Sequence, residues 1–145
     1  MGFFKERKRA KELEETYNII VEFKKEMESV DPADPKLDFQ SIYDKCGFIL
    51  ERIKSAKIIV SEDLKESSDV LVNSTWFATR EANAQEYNIH KKRLAFLERE
   101  EKDISSLRTI MLDKVVDNVI AKREADKNKT KEAPANDSAP QEFGE

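Results

Sequence analysis

The sequence predicts an all-α fold, an elongated three-helix bundle whose long C-terminal helix is coiled-coil-like. Apolar residues recur at every third or fourth position along most of the chain, which is the spacing of one face of an α-helix. The chain has only 3 glycines and 4 prolines, which leaves little of the turn chemistry that a sheet needs. Charged residues make up 39% of the chain, which favours exposed helices around a thin core. The 145 residues predict one bundle domain over 1–124, followed by a tail over 125–145.

The first helix is predicted over residues 3–29. Its apolar positions form one stripe, and charged residues fill the other faces. The members of that stripe are Leu13, Tyr17, Ile20, Phe23, Met27 and Val30. Two Asp-Pro pairs follow within residues 31–35, and a residue before proline is disfavoured in the helical region. We therefore expect a tight corner, with Asp34 capping the second helix and Pro35 in its first turn.

The second helix is predicted over residues 36–66 and should form the centre of the core, because it carries the broadest apolar face. That face consists of Phe39, Ile42, Tyr43, Cys46, Ile49, Leu50, Ile53, Ala56, Val60 and Leu64. Cys46 is the only cysteine, and we interpret it as a small buried hydrophobe. Gly47 lies inside this helix, where glycine costs about 1 kcal/mol relative to alanine. We attribute the presence of a glycine at this position to the close approach of a neighbouring helix.

The break between the second and third helices is predicted at residues 67–75. This segment is rich in Ser, Asp, Asn and Thr, which favour caps and turns. No proline or glycine enforces a stop, so the second helix could instead continue to Ala82 and turn near residues 79–83. In that alternative the two long helices would match in length.

The third helix is predicted over residues 76–124, a length of about 70 Å. Its apolar stripe contains Tyr87, Leu94, Leu97, Ile104, Leu107, Met111, Val115 and Val119. His90 and Glu101 interrupt this stripe, and we interpret both as polar positions on a helical seam. The tail over 125–145 is polar and charged, with one aromatic residue. Because it cannot bury enough apolar area to offset its ordering, it is predicted to be disordered.

The sequence contains no signature of an enzyme, and we expect no catalytic residue, no cofactor and no metal site. One histidine and one cysteine cannot build a His/Cys metal site. Glu86 and His90 are four residues apart, whereas the ferritin-like pattern places a glutamate three residues before the histidine. Neither a glycine-rich phosphate loop nor a G-x-S-x-G turn is present.

The charge pattern narrows the class of partner, and the hydropathy narrows the cellular location of the protein. Acidic residues flank the short basic run at 91–93, so the chain lacks the basic stripe that is typical of nucleic-acid binding. No run approaches the 18 apolar residues of a membrane span, and no apolar signal segment follows the N-terminus. We therefore expect a cytoplasmic protein that does not bind nucleic acid.

The predicted function is a non-enzymatic protein–protein interaction, as an adaptor, an assembly chaperone or a structural subunit of an intracellular complex. The first two helices are each about 40–45 Å long, so they cannot cover the third along its full length. The C-terminal part of the third helix should therefore meet a protein partner or a second copy in a homodimer. An exposed Trp76-Phe77 pair could anchor a partner, and core packing is the alternative for these two side chains. The predicted partner-binding residues are Trp76, Phe77, Met111, Val115, Val119 and Ile120.

The alternative function is docking to a membrane surface through the first helix. The chain starts Met-Gly-Phe-Phe and continues with basic residues, which is similar to amphipathic helices that lie on membranes. Phenylalanine rings could enter the headgroup boundary while the cations meet anionic lipid. The cluster of Glu12, Glu14 and Glu15 directly afterwards limits the basic face. The predicted membrane-surface residues are Phe3, Phe4, Lys5, Arg7, Lys8, Arg9 and Lys11.

Overall fold

The computed structural model describes residues 2–137, with side chains over 4–128. It consists of three helices: α1 spans Gly2–Glu28, α2 spans Phe39–Val72 and α3 spans Phe77–Asp137. No strand occurs within the described range. The predicted all-α three-helix fold is therefore confirmed.

The helices α2 and α3 form a long antiparallel hairpin, and α1 lies along it. Their register is shown by Lys57 Nζ, which lies 2.9 Å from Glu101 Oε1. At the open end of the hairpin the ammonium of Lys114 lies 6.0 Å from the ring centre of Phe39, the first residue of α2. The start of α2 is thus level with about residue 114 of α3.

The first helix runs antiparallel to α2 and parallel to α3. Along α2 its contacts run in reverse order, because Arg9 meets Glu62 while Glu26 meets Lys45. Along α3 they run in the same order. The rings of Tyr17 and Phe96 meet edge to face, with their centres 5.8 Å apart. Lys24, two turns further along α1, pairs with Glu100, one turn further along α3.

The core lies on the apolar stripes that the sequence predicts. Ile49 and Ile53 in α2 are completely buried, as are Ile20 in α1 and Leu97 in α3. Ile104 is 3% exposed, and Tyr17 and Leu107 pack at the margin of this cluster. The 3.6-residue periodicity therefore identified which face of each helix is buried. Val119 is the exception on the predicted stripe of α3, since it is 47% exposed.

The corner between α1 and α2 contains the predicted turn, but a different residue caps α2. Asp38 is the N-cap, and its Oδ1 accepts a hydrogen bond from the backbone N–H of Ser41 at 3.0 Å. The side chain of Asp34 instead accepts from the N–H of Lys36 at 2.9 Å, inside the corner. The prediction of Asp34 as the cap was wrong, because the two Asp-Pro turns consume the residues up to Leu37 before a helix can start.

The break between α2 and α3 is shorter and later than predicted. The second helix continues six residues past Glu66, and the connection occupies residues 73–76. Asn73 ends α2 by donating its backbone N–H to the carbonyl of Asp69 at 3.2 Å, and its side-chain amide donates to the same carbonyl at 2.9 Å. The side chain of Asn83 closes the turn by donating to Ser74 Oγ at 2.5 Å. The second helix therefore does not run on to Ala82.

The third helix extends past its predicted end at Glu124 and reaches Asp137. Residues 125–133 contain no proline or glycine, so helix can propagate there without any apolar burial. The described side chains from Ala125 to Asn128 are exposed, in agreement with the polar composition of this stretch. The remainder of the predicted tail, residues 138–145, lies outside the described residues.

Candidate interaction surfaces

Among the residues that the structure describes, no other helix lies beside the C-terminal part of α3. Because α2 starts level with about residue 114, α3 projects beyond the bundle over residues 116–137, a length of about 33 Å. Every described side chain from Val116 to Asn128 is exposed. We call the projecting segment 116–137 the overhang.

Four aliphatic side chains line the overhang and the turn that precedes it. Leu112 is 42% exposed, Val116 46%, Val119 47% and Ile120 50%. Their spacing of four, three and one residues places them on one face of the helix. Aliphatic side chains that share a face and are half exposed indicate a surface that is suited to contact with another helix.

Of the predicted partner-binding residues in this region, Val119 and Ile120 lie on that exposed face, and Met111 does not. Met111 is only 2% exposed and belongs to the core. It is buried because α2 reaches back to Phe39, which is level with the helical turn after Met111. Val115 packs against the edge of the same core and is half buried. The exposed face therefore starts about one turn later than predicted, and it includes Val116, which the sequence analysis did not single out.

A second exposed apolar cluster lies at the opposite end of the hairpin. Trp76 is 78% exposed and Phe77 is 81% exposed, so neither packs in the core. Val72, the last residue of α2, lies four positions before Trp76 and is 79% exposed. Trp76 is the last residue of the connection and Phe77 is the first residue of α3, so both lie at the tip of the hairpin. The interpretation of this pair as an exposed aromatic anchor is thus compatible with its placement.

The predicted membrane-surface residues are divided by the fold. Arg9 turns toward α2, where its guanidinium nitrogens lie 2.6 Å from Glu62 Oε1 and 2.7 Å from Asp63 Oδ1. The hydrogen bond to Glu62 is the largest cause of a raised Arg9 pKa, against the opposing effect of desolvation. The Arg9 side chain therefore forms ion pairs with two carboxylates of α2. Lys5 lines a cleft with the same two carboxylates.

The other members of that set stay on the outside of α1. Phe4 is 73% exposed, and Arg7, Lys8 and Lys11 are exposed on the same face of the helix, at spacings of three and four residues. The side chain of Phe3 lies outside the described range. Because α1 is antiparallel to α2, Phe4 lies at the same end of the bundle as Trp76. Sequence reasoning could not bring these two segments together, since 72 positions separate them and no local pattern links them.

His90 and Glu101, the two polar positions predicted on the helical seam of α3, differ in their surroundings. His90 is 9% exposed, and its Nε2 lies 3.9 Å from Glu86 Oε1. Glu101 is half buried and pairs with Lys57 at 2.9 Å. The fully buried carboxylate is that of Glu100, which the sequence analysis did not identify. A run of Glu-Arg-Glu-Glu in the sequence gives no signal of which glutamate faces inward.

Cys46 is buried in the core, as predicted. Its side chain is completely inaccessible, and burial raises the pKa of its thiol to about 11, with a smaller opposing effect of Arg108. A thiol with so high a pKa is a poor nucleophile at neutral pH. Gly47, its neighbour, lies against a side chain of α3 and not against backbone. A Cβ at position 47 would lie 3.5 Å from the guanidinium of Arg108, an ordinary van der Waals distance.

The described residues contain no group of three or more His, Cys, Asp and Glu side chains that could hold a metal ion. Within the same range, none of the helices combines the length and the hydropathy needed to cross a membrane. Comparison of the chain with protein-family models, with curated proteins and with solved structures found no match.

Proposed function

We propose that this chain is a protein–protein interaction module that acts through the exposed apolar face of the overhang, with a second copy of the chain as its partner. The observation that carries the proposal is the geometry of α3, which continues about 33 Å beyond α2 with Val116, Val119 and Ile120 half exposed. In this role the protein would act in the cytoplasm as an adaptor, an assembly chaperone or a structural subunit.

The partner proposed for the overhang is another α-helix. In the bundle itself, the buried stripe of α3 is covered by α1 and α2, whose aliphatic side chains interdigitate with it. The exposed stripe has the same helical spacing and offers a helix the same kind of contact. The overhang of a second copy, running in the antiparallel direction, supplies such a helix. In a two-fold dimer the same apolar face of each copy is used, so neither face is left free to bind a third chain.

Measurement of the molar mass by light scattering over a range of concentrations tests this proposal. We expect the mass to rise from one chain toward two, and Val119→Asp to keep the protein at one chain at every concentration. Val21→Asp is the matched control, because Val21 is 56% exposed in α1 and lies away from the overhang. A protein that stays at one chain at all concentrations, with or without Val119→Asp, would contradict the proposal.

A second candidate function is docking to an anionic membrane surface by the tip of the bundle. The observation that favours it is the placement of Phe4, Trp76 and Phe77, all more than 70% exposed, at one end of the molecule. Lys8 and Lys11 are exposed near Phe4, and aromatic rings beside cations suit the membrane interface. The internal pairing of Arg9 reduces the charge that this end can offer to lipid.

Co-sedimentation with vesicles separates the two candidates. Binding to vesicles of anionic lipid that is lost in the Trp76→Ser, Phe77→Ser double variant would support membrane docking. Unchanged recovery in the supernatant, with or without the two aromatics, would exclude it. The variant Val119→Asp serves as the control here, because the overhang lies at the opposite end of the hairpin.

A further inference from the structure

A groove of about 540 Å³ lies along the outer side of α2, beside the middle of α3. Four of the residues that line it follow one another in α2 at spacings of four, three and four positions, so they form one stripe of that helix. They are Lys54, Ile58, Ser61 and Lys65, and all four are exposed. Lys57 and Glu62 of α2 and Glu101 of α3 complete the lining. We call this feature the α2 groove. It shares no residue with the overhang or with the apolar cluster at the tip.

An exposed aliphatic side chain lies at the centre of the α2 groove. Ile58 is 58% exposed, whereas Ile49 and Ile53 of the same helix are completely buried. Ile58 therefore belongs to the surface of α2 and not to the core. A single exposed aliphatic residue is common on proteins and by itself indicates nothing. Ile58 differs because cations flank it on the same stripe, with Lys54 one turn earlier and Lys65 two turns later.

Both carboxylates in the α2 groove are already paired. At its outer edge, Glu62 Oε1 lies 2.6 Å from a guanidinium nitrogen of Arg9 in α1. At its edge toward α3, Glu101 Oε1 lies 2.9 Å from Lys57 Nζ. Because these two negative charges are offset, the remaining ionic side chains decide what the groove attracts.

The remaining ionic side chains of the α2 groove are two lysines. Lys54 and Lys65 form no ion pair within the described part of the chain. Eleven positions separate them on one face of α2, which corresponds to about 17 Å along the helix axis. The groove thus offers an aliphatic contact between two free ammonium groups, although the whole chain has a net charge of −4.

We propose that the α2 groove binds an acidic amphipathic helix of a partner protein. Two carboxylates of that helix pair with Lys54 and Lys65, and an aliphatic side chain between them packs on Ile58. Helical residues that are three turns apart lie on one face, so a helix can present its carboxylates at the spacing of the two lysines. The proposal does not rest on the proposed function, because the overhang takes no part in it.

The paired carboxylates of the groove select against other anionic partners. A nucleic acid or an anionic membrane carries closely spaced phosphates, some of which would meet Glu62 and Glu101. A helix carries carboxylates only at particular positions, and it can place uncharged residues beside these two glutamates. The arrangement of charges therefore favours an acidic helix over a polyanion.

Methyl NMR of the full chain with a synthetic peptide tests the proposal. The probe is acetyl-Glu-Ala-Gln-Leu-Ala-Gln-Ala-Leu-Gln-Ala-Ala-Glu-amide, whose glutamates have the same spacing as the two lysines. We expect it to shift the δ1-methyl signal of Ile58 in a saturable way, with a Kd on the order of 1 mM, because exposed ion pairs are individually weak. Ile89, which is 48% exposed in α3 outside the groove, serves as the internal reference. The same peptide with glutamine in place of both glutamates should bind about fivefold more weakly.

Reversal of the two free lysine charges tests their role. The Lys54→Glu, Lys65→Glu double variant should weaken binding of the acidic peptide by more than about tenfold, because two attractions become repulsions. It should also gain binding of the peptide that has lysine in place of both glutamates. The Lys25→Glu, Lys92→Glu double variant is the matched control, since both lysines are exposed outside the groove and the net charge changes equally. If the groove variant lowers the helical circular dichroism signal, Lys54→Gln, Lys65→Gln takes its place, with an expected loss of about fivefold.

Absence of an Ile58 shift at millimolar peptide would overturn the proposal. Equal affinity for the glutamine peptide, or an equal loss in the control variant, would overturn it as well. An Ile58 shift caused by sodium phosphate or by anionic vesicles, and not by the peptide, would assign the groove to phosphate groups and contradict the proposal. A shift that follows the concentration of the protein alone would place a second copy in the groove and contradict it too.

Discussion

The two halves of α3 differ in what lies beside them. Up to Val115 the helix packs against α2 and α1, and Leu97, Ile104 and Met111 are at most 3% exposed. From Val116 onward the same kind of aliphatic side chain, at the same helical spacing, is about half exposed. The comparison shows that the length of the neighbouring helices decides which part of a stripe becomes core and which part becomes surface.

Truncation of one aliphatic residue in each half gives the largest expected difference. Leu97→Ala should lower the free energy of unfolding by about 2–5 kcal/mol, because it leaves a cavity at a fully buried site. Val119→Ala should change it by less than about 0.5 kcal/mol in dilute solution. Chemical denaturation followed by circular dichroism measures both values. Losses of equal size would mean that the overhang is packed within the single chain.

The protonation of Cys46 reports how tightly the covered half is packed. Its thiol has a pKa of about 11 in the fold against an ordinary value of 9.0, so the unfolded chain releases the proton first as pH rises. The favourable contribution is therefore complete below about pH 9 and decreases through about pH 11, by about 2–3 kcal/mol in total. Denaturation at intervals across this window measures it. Cys46→Ala should lack this part of the alkaline decrease, and an identical pH dependence in the two proteins would contradict the burial.

Gly47→Ala should give the smallest effect, and it should be stabilising. Position 47 is helical, and the added methyl group meets the Arg108 guanidinium at an ordinary contact distance. Alanine in place of glycine should therefore raise the free energy of unfolding by about 0.5–1 kcal/mol. A loss of stability would show that α2 and α3 approach each other more closely here than the structure indicates. Thermal denaturation beside Ser55→Ala, an exposed position in the same helix, provides the comparison.

Periodicity was sufficient to predict the fold class and the buried face of each helix, because those properties depend on residues three and four apart. Ile49, Ile53 and Leu97 were identified in this way. Helix ends were predicted less well. Asp34 and Asp38 are both competent caps by residue type, and the hydrogen bonds of the corner decide between them.

Properties that depend on the register between helices could not be predicted. Met111 is buried and Val116 is exposed because of where α2 starts, and nothing in the sequence of α3 records that position. The burial of Glu100 depends in the same way on the placement of α1. The proximity of Phe4 to the tip of the hairpin is a third case, since it follows from the antiparallel packing of α1 on α2.

Hydrogen exchange along α3 at low and high protein concentration tests most directly the claim that the overhang is an interaction surface between copies. We expect the amides of residues 97–111 to be strongly protected at both concentrations, because they lie in the covered half. Protection of residues 116–128 should be weak in dilute solution, rise with concentration, and stay weak throughout in the Val119→Asp variant. Protection of the overhang that does not depend on concentration would contradict the account.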